Sequence, residues 1–186
     1  ESALDKMLSP FEMLFPEFKL GIRFSFPTIE VKIRFKSEPA DKKLARQQIK
    51  TAKEWMIHTI GNKVVSEQGR SLTREVAYLL THLHKRLAVA ESCTGGLISN
   101  LLTDLPGSSA FFLFSGVTYA NSAKTEILGV KTRTLVEYGA VHEQTAMEMA
   151  QGARQKTGAD IGISTTGIAG PTGGTDEKPV GMVCIG

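Results

Sequence analysis

The chain is poor in cysteine, in net charge and in long apolar runs, and each shortage excludes something. Its 186 residues include two cysteines, Cys93 and Cys184. Two thiols make no disulfide framework, so a small secreted scaffold is excluded and a reducing compartment is the simplest reading. No apolar run approaches the ~20 residues of a membrane span, so no membrane partner is expected. A net charge of +3 is too weak to argue for nucleic acid by itself. Glu1-Ser2-Ala3-Leu4-Asp5 lacks the basic and apolar regions of a signal peptide, which with the free thiols predicts a cytoplasmic protein. His58, His82, His84 and His142 share no metal-ligand spacing, so neither a metal nor a cofactor is called for.

What remains is an ordinary globular composition, 41% hydrophobic and 22% charged. It is not uniform along the chain. Residues 1–70 hold 13 Lys/Arg against 9 Asp/Glu, a net of +4, and 3 glycines. Residues 71–186 hold 9 against 10, a net of −1, and 15 glycines. The shift, with the polar run Ser66-Glu67-Gln68-Gly69-Arg70-Ser71, divides the chain into a small domain over 1–68 and a larger one over 69–186.

In the first region Gly21–Phe26 and Glu30–Lys36 alternate as half-buried strands. Asp41–Thr59 has helical spacing, with Leu44, Ile49, Ala52 and Met56 on or near one face. Val64-Val65 reads as a short third strand, giving a β-β-α-β module. The second region alternates. Leu72–Lys85, Gly95–Thr103, Ser122–Leu128, Arg133–Tyr138 and Glu143–Thr157 read as helices, and Leu87–Ala90, Phe111–Tyr119, Ile161–Ser164 and Val180–Ile185 as strands. Phe111–Tyr119 is apolar enough to be a buried strand. Such alternation predicts an α/β/α domain of three layers around a mixed or largely parallel sheet. The last strand-like run stops at Gly186, so the domain is expected to continue beyond it.

Three stretches carry chemistry. In Leu87-Ala88-Val89-Ala90-Glu91-Ser92-Cys93-Thr94-Gly95-Gly96 a strand runs into a sharp turn and a helix start. A hydroxyl there meets unpaired N–H groups that can bind phosphate or stabilise an oxyanion, which makes Ser92 a candidate nucleophile. It can equally be an N-cap, and Cys93 is a rival nucleophile. In Val117-Thr118-Tyr119-Ala120-Asn121-Ser122-Ala123-Lys124 a lysine sits in the first turn of a helix, against the helix dipole. Lys124 either reaches solvent or is held in a site, desolvated and able to deprotonate a hydroxyl, with Tyr119 as shuttle or holder. Ser164–Thr175 is a hydroxyl-dense, Gly-rich loop, either a phosphate cradle or a long turn into the next strand.

Ala90–Gly96, Pro106–Ser109, Val117–Lys124, Gly139-Ala140-Val141, Thr166–Pro171 and Glu177–Gly181, in that order and spacing, resemble the CinA C-terminal domain, the nicotinamide-nucleotide amidase of bacteria. Residues 1–68 more loosely resemble the KH-type middle domain of longer CinA proteins. The resemblance implies hydrolysis of nicotinamide mononucleotide to nicotinate mononucleotide and ammonia, in pyridine nucleotide recycling. It implies Ser92 as nucleophile, Lys124 as general base, Tyr119 as their partner, and Thr94, Gly95, Gly96, Thr166 and Gly167 around the nucleotide. It implies no metal and no cofactor, and a homo-oligomer, as domains of this kind often pair. His142 stands where members commonly have a small hydroxyl residue. A phosphate-binding Arg is expected past Gly186. Two rival readings are a catalytically silent nucleotide-binding module and an RNA-binding protein. The second is weak, because Gly61-Asn62-Lys63-Val64 lacks the second glycine of a Gly-x-x-Gly loop.

Overall fold

A computed structural model describes residues 3–186. The chain divides into two compact units, Glu1–Glu75 and Val76–Gly186.

The first unit begins with two short helices, α1 (Ala3–Leu8) and α2 (Phe11–Leu14). A hairpin follows, β1 (Phe18–Ser25) paired antiparallel with β2 (Thr28–Phe35), in a register that sets Phe18 opposite Phe35 and Ser25 opposite Thr28. Strand alternation gathers Phe18, Leu20, Ile22, Val31, Ile33 and Phe35 on one face. That face packs on Leu8, Phe11 and the helix α3 (Lys42–Ile60). Asp41 starts α3 by accepting from the Lys43 and Leu44 amides.

Three expectations fail here. The inward face of α3 is Ala45, Ala52 and Met56, while Leu44 and Ile49 are exposed. Val64-Val65 forms no strand: a 3-10 turn (Gly61–Lys63) runs into extended chain, and two valines are too few to hold a ladder. The small unit is therefore α-α-β-β-α with a two-stranded ribbon, and the KH-type domain is absent from this chain.

The second unit is built on one buried strand. Its elements are α4 (Leu72–His82, whose first residues lie in the first unit), β3 (Leu87–Glu91), α5 (Leu97–Thr103), β4 (Phe112–Val117), α6 (Asn121–Leu128), α7 (Thr132–Tyr138), α8 (Glu143–Thr157), β5 (Ile161–Gly167) and β6 (Val183–Ile185). The sheet runs β4-β3-β5-β6, with β4 and β5 parallel to β3 and β6 antiparallel to β5. Every residue of β3 is buried, as a central strand covered on both faces requires. Its alternation sorts the layers. Leu87 and Val89 face Val76, Ala77, Leu80, Ile98 and Leu102 of α4 and α5. Ala88 and Ala90 face Leu128, Leu135, Met149 and Ala153 of α6, α7 and α8. The result is a three-layer α/β/α domain with a mixed sheet.

Two details bear on the site. β4 is an edge strand, half exposed at Leu113 and Val117, and not the buried strand its composition suggested. An irregularity in its register sets Leu87 opposite Phe112 but Ala88 opposite Phe114, so phenylalanines two apart serve opposite layers. On β5, Gly162 lies opposite Ala88 and under α8, where an added Cβ would come within 2.3 Å of the Ala150 carbonyl oxygen. The glycine lets helix and strand approach this closely.

Candidate active site

The alternation that sorts the core also builds the site. Ser92 follows β3 on the side of Ala88 and Ala90, toward α6. Glu91 belongs to the other side, toward α5. Between them the chain turns sharply. The Gly95 amide donates to the Ser92 carbonyl at 3.1 Å, and Gly95 and Gly96 both adopt positive φ, +60° and +98°. That conformation is open to glycine at little cost.

Lys124 is in the first turn of α6, and its side chain runs back toward the N-terminus, as helical side chains do. It is 1% exposed. Its ammonium donates to the carbonyls of Thr118 at 2.8 Å and Tyr119 at 2.9 Å, and lies 3.2 Å from Ser92 Oγ. Those carbonyls resolve the misfit of a cation at a helix N-terminus. Burial pushes the Lys124 pKa below its ordinary value, opposed by the nearby Cys93 thiol. Ser92 is itself buried, 7% exposed. Of the two rival nucleophiles it is the hydroxyl that meets Lys124, while Cys93 Sγ packs near Gly167.

The other site residues fall in varied places. Tyr119 reaches Lys124 through its carbonyl, while its side chain is exposed. The Thr94 hydroxyl bonds the Thr165 hydroxyl at 2.8 Å, tying the turn to β5. The Thr166 hydroxyl is buried and donates to the Ala140 carbonyl at 2.8 Å. Gly167 is where β6 returns: an added Cβ would stand 2.5 Å from the Met182 carbonyl and 3.1 Å from Cys93 Sγ. The Gly-rich stretch after it is the long connection of the β5–β6 pair, held by Ile168–Met182 and Gly181–Ile168 main-chain bonds. Lys178 within it donates to the Tyr138 carbonyl at 2.7 Å. His142 takes over the work of the hydroxyl expected there, its Nδ1 accepting from the Gln144 amide at 3.1 Å as the N-cap of α8. Among the described residues no group of side chains could hold a metal ion, and no helix is long and apolar enough to cross a membrane. A shallow groove in the first unit, lined by Leu8, Glu12, Leu20 and Ile22, contains none of these residues.

Sequence reasoning missed Glu91. It is fully buried, and its carboxylate accepts from the amides of Gly96 at 3.0 Å, Ile98 at 3.1 Å and Ser99 at 2.9 Å, and from the Ser99 hydroxyl. Burial pulls its pKa upward, but the hydrogen bonds from Ser99, Thr94 and the backbone outweigh it and hold the carboxyl below its usual range. The N–H groups of α5 that the sequence offered to a phosphate or oxyanion are therefore largely taken by a side chain of the protein itself. The available signal was a lone acid ending the apolar run of β3, a poor position for a charge without donors.

Comparison with known proteins identifies the family of the chain. The model of the CinA C-terminal domain family matches residues 69–186. A CinA-like protein of Desulfosudis oleivorans is 48% identical over 186 residues, covering all of this chain and 45% of that protein. A putative competence-damage inducible protein of Halothermothrix orenii is 45% identical over 157 residues, covering 84% of this chain and 38% of its own length. The chain thus spans less than half the length of these curated relatives. Among solved structures, the competence/damage inducible protein CihA of Agrobacterium tumefaciens superposes with a TM-score of 0.60 at 49% identity, over 61% of this chain and 68% of that one. A CinA superfamily protein of Escherichia coli gives 0.59 at 39% identity, over 61% of this chain and 66% of that one. By sequence and by fold, the chain belongs to the CinA C-terminal domain family.

Proposed function

We propose that the chain is a metal-independent amidohydrolase that releases ammonia from nicotinamide mononucleotide through a Ser92–Lys124 dyad. The observation that carries this is the buried ammonium of Lys124, 3.2 Å from Ser92 Oγ and braced on two carbonyls. A neutral amine has two N–H bonds and one lone pair. In this setting the Thr118 and Tyr119 carbonyls accept both N–H bonds, and the lone pair is left for the Ser92 proton. Burial favours the neutral form.

Ser92 Oγ then attacks the carboxamide carbon as Lys124 takes its proton. Turn N–H groups around Cys93 and Thr94 hold the oxyanion. Lys124 returns the proton to the leaving nitrogen, which departs as ammonia. Water resolves the acyl-enzyme by the same base, giving the carboxylate. The substrate comes from the family resemblance, with Thr94, Gly95, Gly96, Thr166 and Gly167 around the nucleotide, of which Thr166 acts through the Ala140 carbonyl it holds. The pairing of copies, the cytoplasmic setting and a role in pyridine nucleotide recycling belong to this same proposal.

The test is product analysis with nicotinamide mononucleotide as substrate. The proposal expects equimolar ammonia and nicotinate mononucleotide with the glycosidic bond intact. Release of free nicotinamide, or binding without any product, overturns it.

A further inference from the structure

We infer that Glu91 is a positioning residue for this reaction: its buried carboxylate anchors the first turn of α5 and so fixes where Ser92 sits against Lys124. The inference rests on the amidase reading, and it adds to that reading a residue that touches neither the dyad nor the substrate.

Glu91 and Ser92 are adjacent and point to opposite faces of the sheet, so the Glu91 carboxylate acts on the Ser92 hydroxyl through the chain that runs from Ser92 into α5. The carboxylate grips this stretch where it enters α5. Oε2 accepts from Gly96, inside the turn, and from Ile98, while Oε1 accepts from the Ser99 amide and hydroxyl. The stretch Ser92–Gly96 has its own turn bond, Gly95 N–H to the Ser92 carbonyl, and the Thr94–Thr165 tie to β5, but the two glycines at positive φ that lead into α5 restrict its far end little, and that end is the one the carboxylate holds. The main chain of Glu91 acts on the second partner. Its carbonyl accepts from the Thr118 amide at 2.8 Å, and the Thr118 carbonyl in turn holds Lys124 Nζ at 2.8 Å. One residue therefore braces the supports of both dyad members. Ser99 extends the brace to β4 through its bond to the Ser115 hydroxyl.

The arrangement also says what the α5 terminus does not do. With its amides bonded to a full negative charge, a substrate phosphate placed there would face a carboxylate. Those amides are therefore not where the anion of the substrate is expected to bind.

Glu91→Gln tests this without changing side-chain size. An amide NH2 in place of either oxygen faces N–H donors, so one grip is lost. Ammonia release is measured in the full protein, and active sites are counted by labelling with a serine-directed fluorophosphonate. Small displacements of a reacting group cost on the order of 10- to 100-fold in rate. The expected result is one label per chain, a kcat per labelled site lower by roughly that factor, and KM within about twofold. A label count that falls while kcat per labelled site stays at the parent value shows a merely structural role and overturns the inference, as does unchanged kcat. Should Glu91→Gln fail to fold, Ser99→Ala decides: it keeps the carboxylate and removes one donor, and kcat per site is expected to fall roughly threefold or more. No change there overturns the inference. Failure of the amidase reading is separate, since it shows as parent activity that is absent or survives Ser92→Ala.

Discussion

At the scale of single residues, the account turns on Lys124. Burial holds its ammonium below the ordinary value of 10.5, so the unfolded chain binds this proton more tightly than the folded one. Stability therefore rises with pH between the lowered value and 10.5, and is least below it. Lys124→Met removes this dependence. Urea midpoints followed from neutral to alkaline pH are expected to climb in the parent and stay flat in the variant over that window. An equal climb in both would show that Lys124 is not the titrating group. His142 offers a second residue-scale prediction. It caps α8 through Nδ1, so His142→Ser should keep the cap and His142→Ala should lose about 1 kcal/mol of unfolding free energy. Chemical denaturation of the three proteins measures this. At this scale the residue pattern showed Ser92 and Lys124 as separate candidates and only the family resemblance joined them, since 32 residues separate them and a sheet crossover brings them together. Thr118 was invisible for another reason: it acts through its carbonyl, which any residue type supplies.

At the scale of elements, packing between α8 and the sheet has the tightest tolerance. Gly162 leaves no room for a Cβ beside Ala150. Gly162→Ala is expected to cost about 1–3 kcal/mol by overpacking, read as a lower midpoint with an unchanged m-value. Tolerance of the alanine would mean that helix and strand can separate freely. Two short helices here begin on buried carboxylates from elsewhere in the chain, α5 on Glu91 and α7 on Glu148, which accepts from the Lys131 amide at 2.8 Å and the Thr134 hydroxyl at 2.9 Å. Neither acid occupies the residue just before its helix, Glu91 lying five to eight residues from the amides it meets and Glu148 farther away, so the local patterns that reveal a Ser or Asp cap do not show them. Local patterns served well where period and cap agree. Glu143–Thr157 was legible to the residue, and β3 nearly so. They failed where neighbours decide: β4 is apolar yet lies at the edge, and α3 turns Ala45 inward instead of Leu44 because the ribbon it packs on is already lined with phenylalanine and isoleucine.

For the whole molecule, composition marked two regions and the contacts divide into two units, with an irregular stretch over 64–70, bent at 67–68, between the 3-10 turn and α4. That stretch has few main-chain bonds to protect it, so limited proteolysis is expected to cut there first and leave two resistant fragments. First cuts within 87–167 would contradict the compactness of the larger unit. The α/β/α layering was readable because the alternation of helix and strand constrains it strongly. The architecture of residues 3–63 was not, because two short helices and one hairpin carry too little period to distinguish an α-α-β-β-α unit from a β-β-α-β one.

The most direct test of the central claim is the rate of ammonia release from nicotinamide mononucleotide by the parent, Ser92→Ala, Lys124→Ala and the double variant. If Ser92 and Lys124 act as one unit, each single change lowers kcat by roughly a thousandfold or more, and the double variant is no slower than either single one. Ammonia release that survives Ser92→Ala, or two losses that multiply in the double variant, would contradict the dyad.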